Sequence, residues 1–333
     1  MQYLGFLACA TAIFYAGRKL SFYGDLLAEK TGLSKGWIGL ILMASVTSLP
    51  ELMVGISSSA IIKSADLAVG DILGSCAFNL GILAVMDAFS PGRKPLFGIA
   101  SQSHLINAGL GVVSVSLVGL ALFLPYDYPI MPWIALSSIV FIIVYFLSVA
   151  IIYRNEKKLA ALSPVAQQHD EEGKRLPLKK IILFYSLFAI VIVLAALALP
   201  YFAEQIAEST GLGKSFVGTL FLAASTSLPE IAVSLAAIRA GSIDLAVGNL
   251  LGSNIFNIFI LAIDDIFYTK GFLLKDASEF HLISVLATIM MSAVAIIGLS
   301  YRSSTKKFVL ALDSAIIFGV YIVSLVFIYR LTA

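Results

Sequence analysis

The stretch Ala44-Ser-Val-Thr-Ser-Leu-Pro-Glu51 returns as Ala223-Ala-Ser-Thr-Ser-Leu-Pro-Glu230. Each copy interrupts a long apolar run, and each ends in a carboxylate. A lone charge at the centre of a membrane helix costs about 2.5–3.5 kcal/mol or more. A chain that places two such carboxylates at matching positions is expected to use them together. Paired interruptions of this kind, one in each half, are the strongest sequence pointer to the binding site of a transporter.

The repetition extends beyond these motifs. Ala28-Glu-Lys-Thr-Gly-Leu-Ser-Lys35 matches Ala207-Glu-Ser-Thr-Gly-Leu-Gly-Lys214, and Asp66-Leu-Ala-Val-Gly-Asp-Ile-Leu-Gly-Ser75 matches Asp244-Leu-Ala-Val-Gly-Asn-Leu-Leu-Gly-Ser253. The matches continue as Cys76-Ala-Phe-Asn79 and Asn254-Ile-Phe-Asn257. The offset is 179 residues up to the carboxylates and 178 after them.

Hydrophobic residues make up 59% of the chain and charged residues 13%, with a mean hydropathy of +0.97. A soluble domain carries about 25% charged residues, so the composition is that of a polytopic membrane protein. The two cysteines, Cys9 and Cys76, lie in apolar runs and imply no disulfide framework, and His104, His169 and His281 are too scattered for a metal cluster. The apolar N-terminal stretch has Arg18 and Lys19 after it, whereas a cleaved signal peptide carries its positive charges first. It reads as a retained first helix.

Runs of about 20 apolar residues, long enough to span a bilayer, fall near 2–17, 36–60, 66–89, 102–124, 131–153, 180–201, 212–238, 243–268, 280–300 and 308–329. The expected fold is therefore an all-α membrane protein of ten transmembrane helices in two groups of five. The first covers 1–153, with its repeated core near 36–89. The second covers 180–333, with its core near 212–268. Residues 154–179, including Asp170-Glu-Glu172, form a solvated loop too short for a packed domain.

One face receives Arg18, Lys19, Lys30, Lys35, Arg93, Lys94, seven basic residues from Arg154 to Lys180, Arg239, Arg302, Lys306 and Lys307. The other receives Lys63, Lys214, Lys270, Lys275 and Arg330. The positive-inside rule puts the first set, and the 154–179 loop, in the cytoplasm. Both termini then lie outside. Because five is odd, the second group enters from the opposite side, and the two groups are inverted repeats.

Pro50 and Pro229 remove an N–H and disfavour helix at the preceding residue. The helix is expected to break there, freeing carbonyls around Val46 and Thr47 and around their counterparts. Such backbone is tolerated at membrane depth only against protein or a water-lined cavity. Carbonyls, hydroxyls and a carboxylate are hard oxygen ligands, suited to sodium and calcium. The alternative is a capping box, Ser48-x-x-Glu51 and Ser227-x-x-Glu230, which can coexist with ion binding. Ser75 and Asn79, like Ser253 and Asn257, share a helix face. They read as ion ligands or as interhelical packing beside Gly74 and Gly252. Asp66 and Asp244 read as N-caps. Asp71 is a candidate ion-path or water-binding residue whose counterpart is Asn249. Asp87 and Asp265, with Asp264 adjacent, read as helix-end or inter-repeat hydrogen-bonding groups.

At these residues the chain resembles the calcium/cation antiporter superfamily, which includes the sodium/calcium exchangers, in its prokaryotic form. The family's two repeats follow G-T-S-x-P-E/D … G-S-N/C-x-x-N/D in oppositely oriented five-helix halves. The resemblance covers essentially the whole chain. It implies that Glu51 and Glu230 are the central calcium and sodium carboxylates. Thr47, Thr226, Ala44 and Ala223 would give backbone carbonyls. Ser48, Ser227, Ser75 and Ser253 would supply sodium ligands, and Asn79 and Asn257 would flank the site. Val46 and Ser225 replace the family's usual glycine, Asp71 stands where Asn is usual, and Asn257 stands where some relatives, including potassium-dependent ones, carry Asp.

The leading expectation is a secondary antiporter of the inner (plasma) membrane that exchanges calcium for sodium by alternating access. Inorganic cations and the bilayer are its partners, with no cofactor, nucleic acid or protein partner. Proton-coupled cation exchange is the alternative, because a buried carboxylate can also carry a proton. A passive channel is less favoured, since no filter string such as TVGYG is present. No HExxH or GxSxG string suggests an enzyme.

Overall fold

In a computed structural model, residues 2–124, 128–162, 176–210 and 225–332 are described. The chain is mostly helical, as the absence of water in a bilayer core demands of a spanning backbone. The main helices are α1 (Gln2–Thr31), α2 (Lys35–Ile62), α3 (Ala65–Met86), α4 (His104–Phe123), α5 (Leu136–Leu162), α6 (Leu178–Thr210), α7 (Leu228–Arg239), α8 (Ile243–Phe267), α9 (His281–Tyr301) and α10 (Leu312–Thr332). Among the described residues, eight helices are long and apolar enough to cross a membrane: α2 to α6 and α8 to α10.

Burial ranks these helices. The most apolar stretch is 83% buried in α8 and 72% in α3, but only 22% in α5, α6 and α10. Thus α3 and α8 form the centre, while α5, α6 and α10 turn most of their surface outward. α1 packs along α6 and against α7; Tyr23 of α1 stacks on Phe184 and Phe188 at centroid separations of 5.2 and 5.8 Å.

Several boundaries differ from expectation. α1 continues to Thr31 instead of ending near 17. Arg18 lies on its exposed side, while Ala16, Gly17, Leu20, Ser21 and Gly24 continue one buried face. The charge therefore does not end the helix. α5 and α6 likewise run into the expected 154–179 loop and beyond 201. Asp170-Glu-Glu172, His169 and Lys214 lie outside the described residues. α5 begins later than expected, because a small antiparallel hairpin, β1 (Pro129–Met131) and β2 (Ile134–Ala135), precedes it. Asp265 holds that hairpin by accepting from Ala135 N at 3.0 Å.

α2 is not a regular helix. Ile38–Met43 and Ser57–Ile62 are π-helical, and the backbone is interrupted between them at Ser48. π-Turns widen a helix and frequently accompany functional sites. The first half of α2 lies so close to α8 that backbone meets backbone. A Cβ on Gly39 would meet the Leu245 carbonyl, one on Gly248 the Gly36 carbonyl, and one on Gly252 the Leu40 carbonyl. Small residues allow this approach. Gly252 thus fulfils its expected packing role, whereas Gly74 has no described neighbour within 4 Å.

Gly252→Ala is expected to destabilise the bundle by about 1–3 kcal/mol, because neither backbone can yield to the added methyl. Gly109→Ala, where no described atom lies within 4 Å, is expected to be neutral or slightly stabilising. Thermal unfolding in detergent distinguishes the two.

Candidate functional site

The two repeated motifs place two similar breaks deep in the protein. Ser48 has φ −90° and ψ 7°, and Ser227 has φ −85° and ψ 9°. Each serine precedes a helical segment with proline in its first turn and the carboxylate immediately after it. Proline cannot donate to the carbonyl four residues earlier, so Val46 and Ser225 lose that bond. The valine is accommodated without strain: the described non-glycine residues with positive φ are Lys63 and Arg302.

The motifs meet reciprocally. Ser48 Oγ donates to Glu230 Oε1 at 3.2 Å, and Ser227 Oγ donates to Glu51 Oε1 at 3.2 Å. Ser253 Oγ donates to the same Glu230 oxygen at 3.3 Å, and the Ser75 and Ser227 hydroxyls are 3.4 Å apart. Thr47 Oγ1 lies 3.3 Å from both Asn249 Oδ1 and the Ala44 carbonyl, which share its one proton. Thr47, Thr226, Ser48, Ser227, Ser75, Ser253, Glu51 and Glu230 are all buried. Ala44 is buried too, and Ala223 lies outside the described residues. The capping-box reading does not hold for the serines: neither makes a side-chain cap bond to its own helix. Each hydroxyl serves the carboxylate of the other motif instead.

Asn79 and Asn257 lie where α3 and α8 cross. Asn79 Nδ2 donates to Asn254 Oδ1 at 3.0 Å, Asn254 Nδ2 donates to the Cys76 carbonyl at 3.1 Å, and Asn257 Nδ2 reaches Cys76 Sγ at 3.8 Å. The amide nitrogens are thereby engaged. Each of these two carboxylates and two asparagines keeps one buried oxygen without a hydrogen-bond partner: Glu51 Oε2, Glu230 Oε2, Asn79 Oδ1 and Asn257 Oδ1. Leaving a buried acceptor unsatisfied costs about 1–3 kcal/mol, more when it is charged. A hard cation relieves that cost, and an all-oxygen set suits sodium or calcium over softer metals. Among the described residues, no three His, Cys, Asp or Glu side chains gather to hold a metal. Negative charge here comes from two carboxylates, and the remaining donors are neutral.

The other acids divide by role. Asp66 and Asp244 do not cap their helices; the N-cap residues are Ser64 and Ser242. Asp66 accepts from Ser278 N and His281 Nε2 at 2.7 and 3.1 Å. Asp244 accepts from Ser101 N and His104 Nε2 at the same two distances. Each thus fastens its helix to a segment of the other half. Asp87 accepts from Leu96 N and Ala311 N, both at 2.6 Å, and pairs with Lys306 at 3.6 Å. Asp265 accepts from Leu273 N at 2.9 Å and from Ser138 Oγ at 2.6 Å, besides Ala135 N. These two are hydrogen-bond anchors, as expected, whereas neither Asp264 oxygen has a hydrogen-bond partner, and Lys306 is a buried partner instead of a loop charge. Sequence reasoning passed over Asn254, although it stands in the repeated string at the position of Cys76. It also passed over Ser234, which pairs with Asn249 at 3.0 Å.

The family model for sodium/calcium exchanger protein matches residues 1–154 and 179–330. The inner membrane protein YrbG of Escherichia coli is 26% identical over 253 residues, covering 75% of this chain and 74% of YrbG. The sodium/calcium exchanger MaX1 of Methanosarcina acetivorans is 41% identical over 88 residues, a quarter (25%) of each chain. A solved structure of the sodium-calcium exchanger NCX_Mj superimposes with a TM-score of 0.74 at 22% identity, covering 98% of this chain and 99% of that one.

Ser48→Ala and Ser227→Ala each strip a buried carboxylate oxygen of a donor. Ser227→Ala is expected to lower the thermal stability of the cation-free protein by about 1–3 kcal/mol, and Ser48→Ala by less, because Ser253 still donates to the same Glu230 oxygen. A melt unchanged by either substitution would refute that bond.

Proposed function

Since the chain belongs to the sodium/calcium exchanger family, whose members are cation antiporters, we propose that it exchanges calcium for sodium at a site built on Glu51 and Glu230. The observation that carries this reading is the reciprocal contact of the two motifs, with one oxygen of each carboxylate and of each flanking asparagine left unpartnered in a buried centre. Two carboxylates balance one divalent ion. The hydroxyls of Ser48, Ser75, Ser227 and Ser253, with backbone oxygens around Thr47 and Thr226, offer further places for monovalent ions once the divalent ion has left. This supply of neutral oxygens favours sodium over a proton as coupling ion, since protonation needs only the carboxylates.

The proposed topology follows from the repeat: ten crossings in two inverted halves, 1–153 and 180–333, both termini outside and the 154–179 loop in the cytoplasm. Near-identical bonding on the two sides supports it, with Asp66 and Asp244 each holding a histidine and a backbone amide. Alternating access then consists of one group of helices moving around the fixed central site. A channel would not move calcium against its gradient, so counter-gradient uptake excludes it.

Glu51→Gln and Glu230→Gln keep shape and remove charge. Each is expected to abolish calcium exchange in proteoliposomes, by about 100-fold or more if a few kcal/mol of ion stabilisation is lost, while the protein still elutes as a folded species. Near wild-type exchange would remove that residue from the site.

With Asn79 and Asn257 both neutral, calcium flux should follow an imposed sodium gradient without a potassium requirement. Asn257→Asp adds a charge at the centre and is expected to alter cation preference. Flux that tracks a pH gradient and ignores sodium would replace the coupling ion while leaving antiport intact.

A further inference from the structure

Beside the centre, one half is acidic where the other is neutral. Asp264, in the last turns of α8, is fully buried, and neither of its carboxylate oxygens has a hydrogen-bond partner. That carboxylate lies against Gly55, one turn beyond Glu51 on α2, so closely that a Cβ on Gly55 would meet both oxygens. Asp71 of α3 is the acid whose field bears on Asp264, and its Oδ2 is also buried without a partner. The counterparts of Gly55, Asp71 and Asp264 in the repeat are Ser234, Asn249 and Met86. There the polar groups satisfy one another: Asn249 Nδ2 donates to Ser234 Oγ at 3.0 Å, and Asn249 Oδ1 accepts from Thr47 at 3.3 Å. One half thus has a closed, neutral network where the other has an open, acidic one.

We propose that Asp264 and Asp71 form a second cation site, on one side of the central pair only, that takes a calcium-class divalent ion. Two unpaired carboxylates repel in a medium of low dielectric, and a divalent ion between them cancels both charges. Oxygen-only donors select hard cations, and calcium completes an irregular shell with water. Gly55 leaves room for the Asp264 carboxylate, where the serine of the other half would fill it. In the proposed topology Asp264 and Asp71 lie in the outer half of the membrane, so a cation from outside meets them before Glu51. That way-station role rests on the proposed antiport, whereas binding at the site does not.

The test is equilibrium calcium binding to the full-length protein in detergent, followed by flow dialysis. Wild type is expected to bind about two ions per chain and Asp264→Asn about one. Glu51→Gln/Glu230→Gln, which neutralises the central pair, is expected to retain about one ion, held by Asp264. The triple substitution Gly55→Ser, Asp71→Asn, Asp264→Met copies the neutral arrangement of the other half, and is expected to behave as Asp264→Asn does even if that single variant folds poorly. A wild type that binds one ion or none overturns the proposal, as does a Glu51→Gln/Glu230→Gln protein that binds nothing. So does an unchanged stoichiometry in Asp264→Asn. A single calcium with a proton shared between Asp71 and Asp264 is among these negative results. If Glu51→Gln/Glu230→Gln binds as wild type does, the central site fails while the second site stands.

Discussion

Two buried carboxylates at the centre of a membrane protein must be stabilised by groups the chain itself provides, and here each is served by the serine of the opposite motif. Ser48 reaches Glu230 and Ser227 reaches Glu51. This exchange requires that both helices break at the same depth, since an intact helix would hide its serine among its own turns. The prolines cause the breaks, and α3 and α8 crossing behind them supply Ser75, Ser253 and the asparagines. The close approach of α2 to α8 through Gly39, Gly248 and Gly252 brings these donors within reach. The rest of the bundle is arranged around that contact.

The outer anchors fix its position. Asp66, Asp244, Asp87 and Asp265 each accept from backbone amides elsewhere in the chain. A carboxylate satisfied by several amides or a histidine is a fastening. One with free oxygens, such as those of Glu51, Glu230 and Asp264, is available to a ligand. Residue type alone does not separate these classes, because all are acids in apolar helices at comparable spacings. The geometry of their partners does.

A near-repeat also makes departures informative. Where the halves agree, as in the paired Asp–His contacts, the agreement is a demand of the shared architecture. Where they differ, as at Gly55, Asp71 and Asp264, architecture does not require the difference, and function becomes the natural place to look for its cause.

The sequence by itself determined the membrane class, the repeated motifs, the interruptions at Pro50 and Pro229, and the family. These follow from composition, from proline's missing N–H and from the matching strings, all of which are local properties of the chain. Only the tertiary structure decided that Ser48 and Ser227 serve the opposite carboxylates instead of capping their own helices, that Asp66 and Asp244 bind histidines across the bundle, and that α1 runs on past Arg18. A hydrogen bond between residues 176 positions apart, such as Ser227 to Glu51, leaves no trace in the spacing around either one. A charge on the outer side of a helix costs little, so it marks no boundary. Asp264 is the clearest case: its neighbour in sequence, Asp265, is an anchor, and only their different directions on α8, about 100° apart, give the two acids different surroundings.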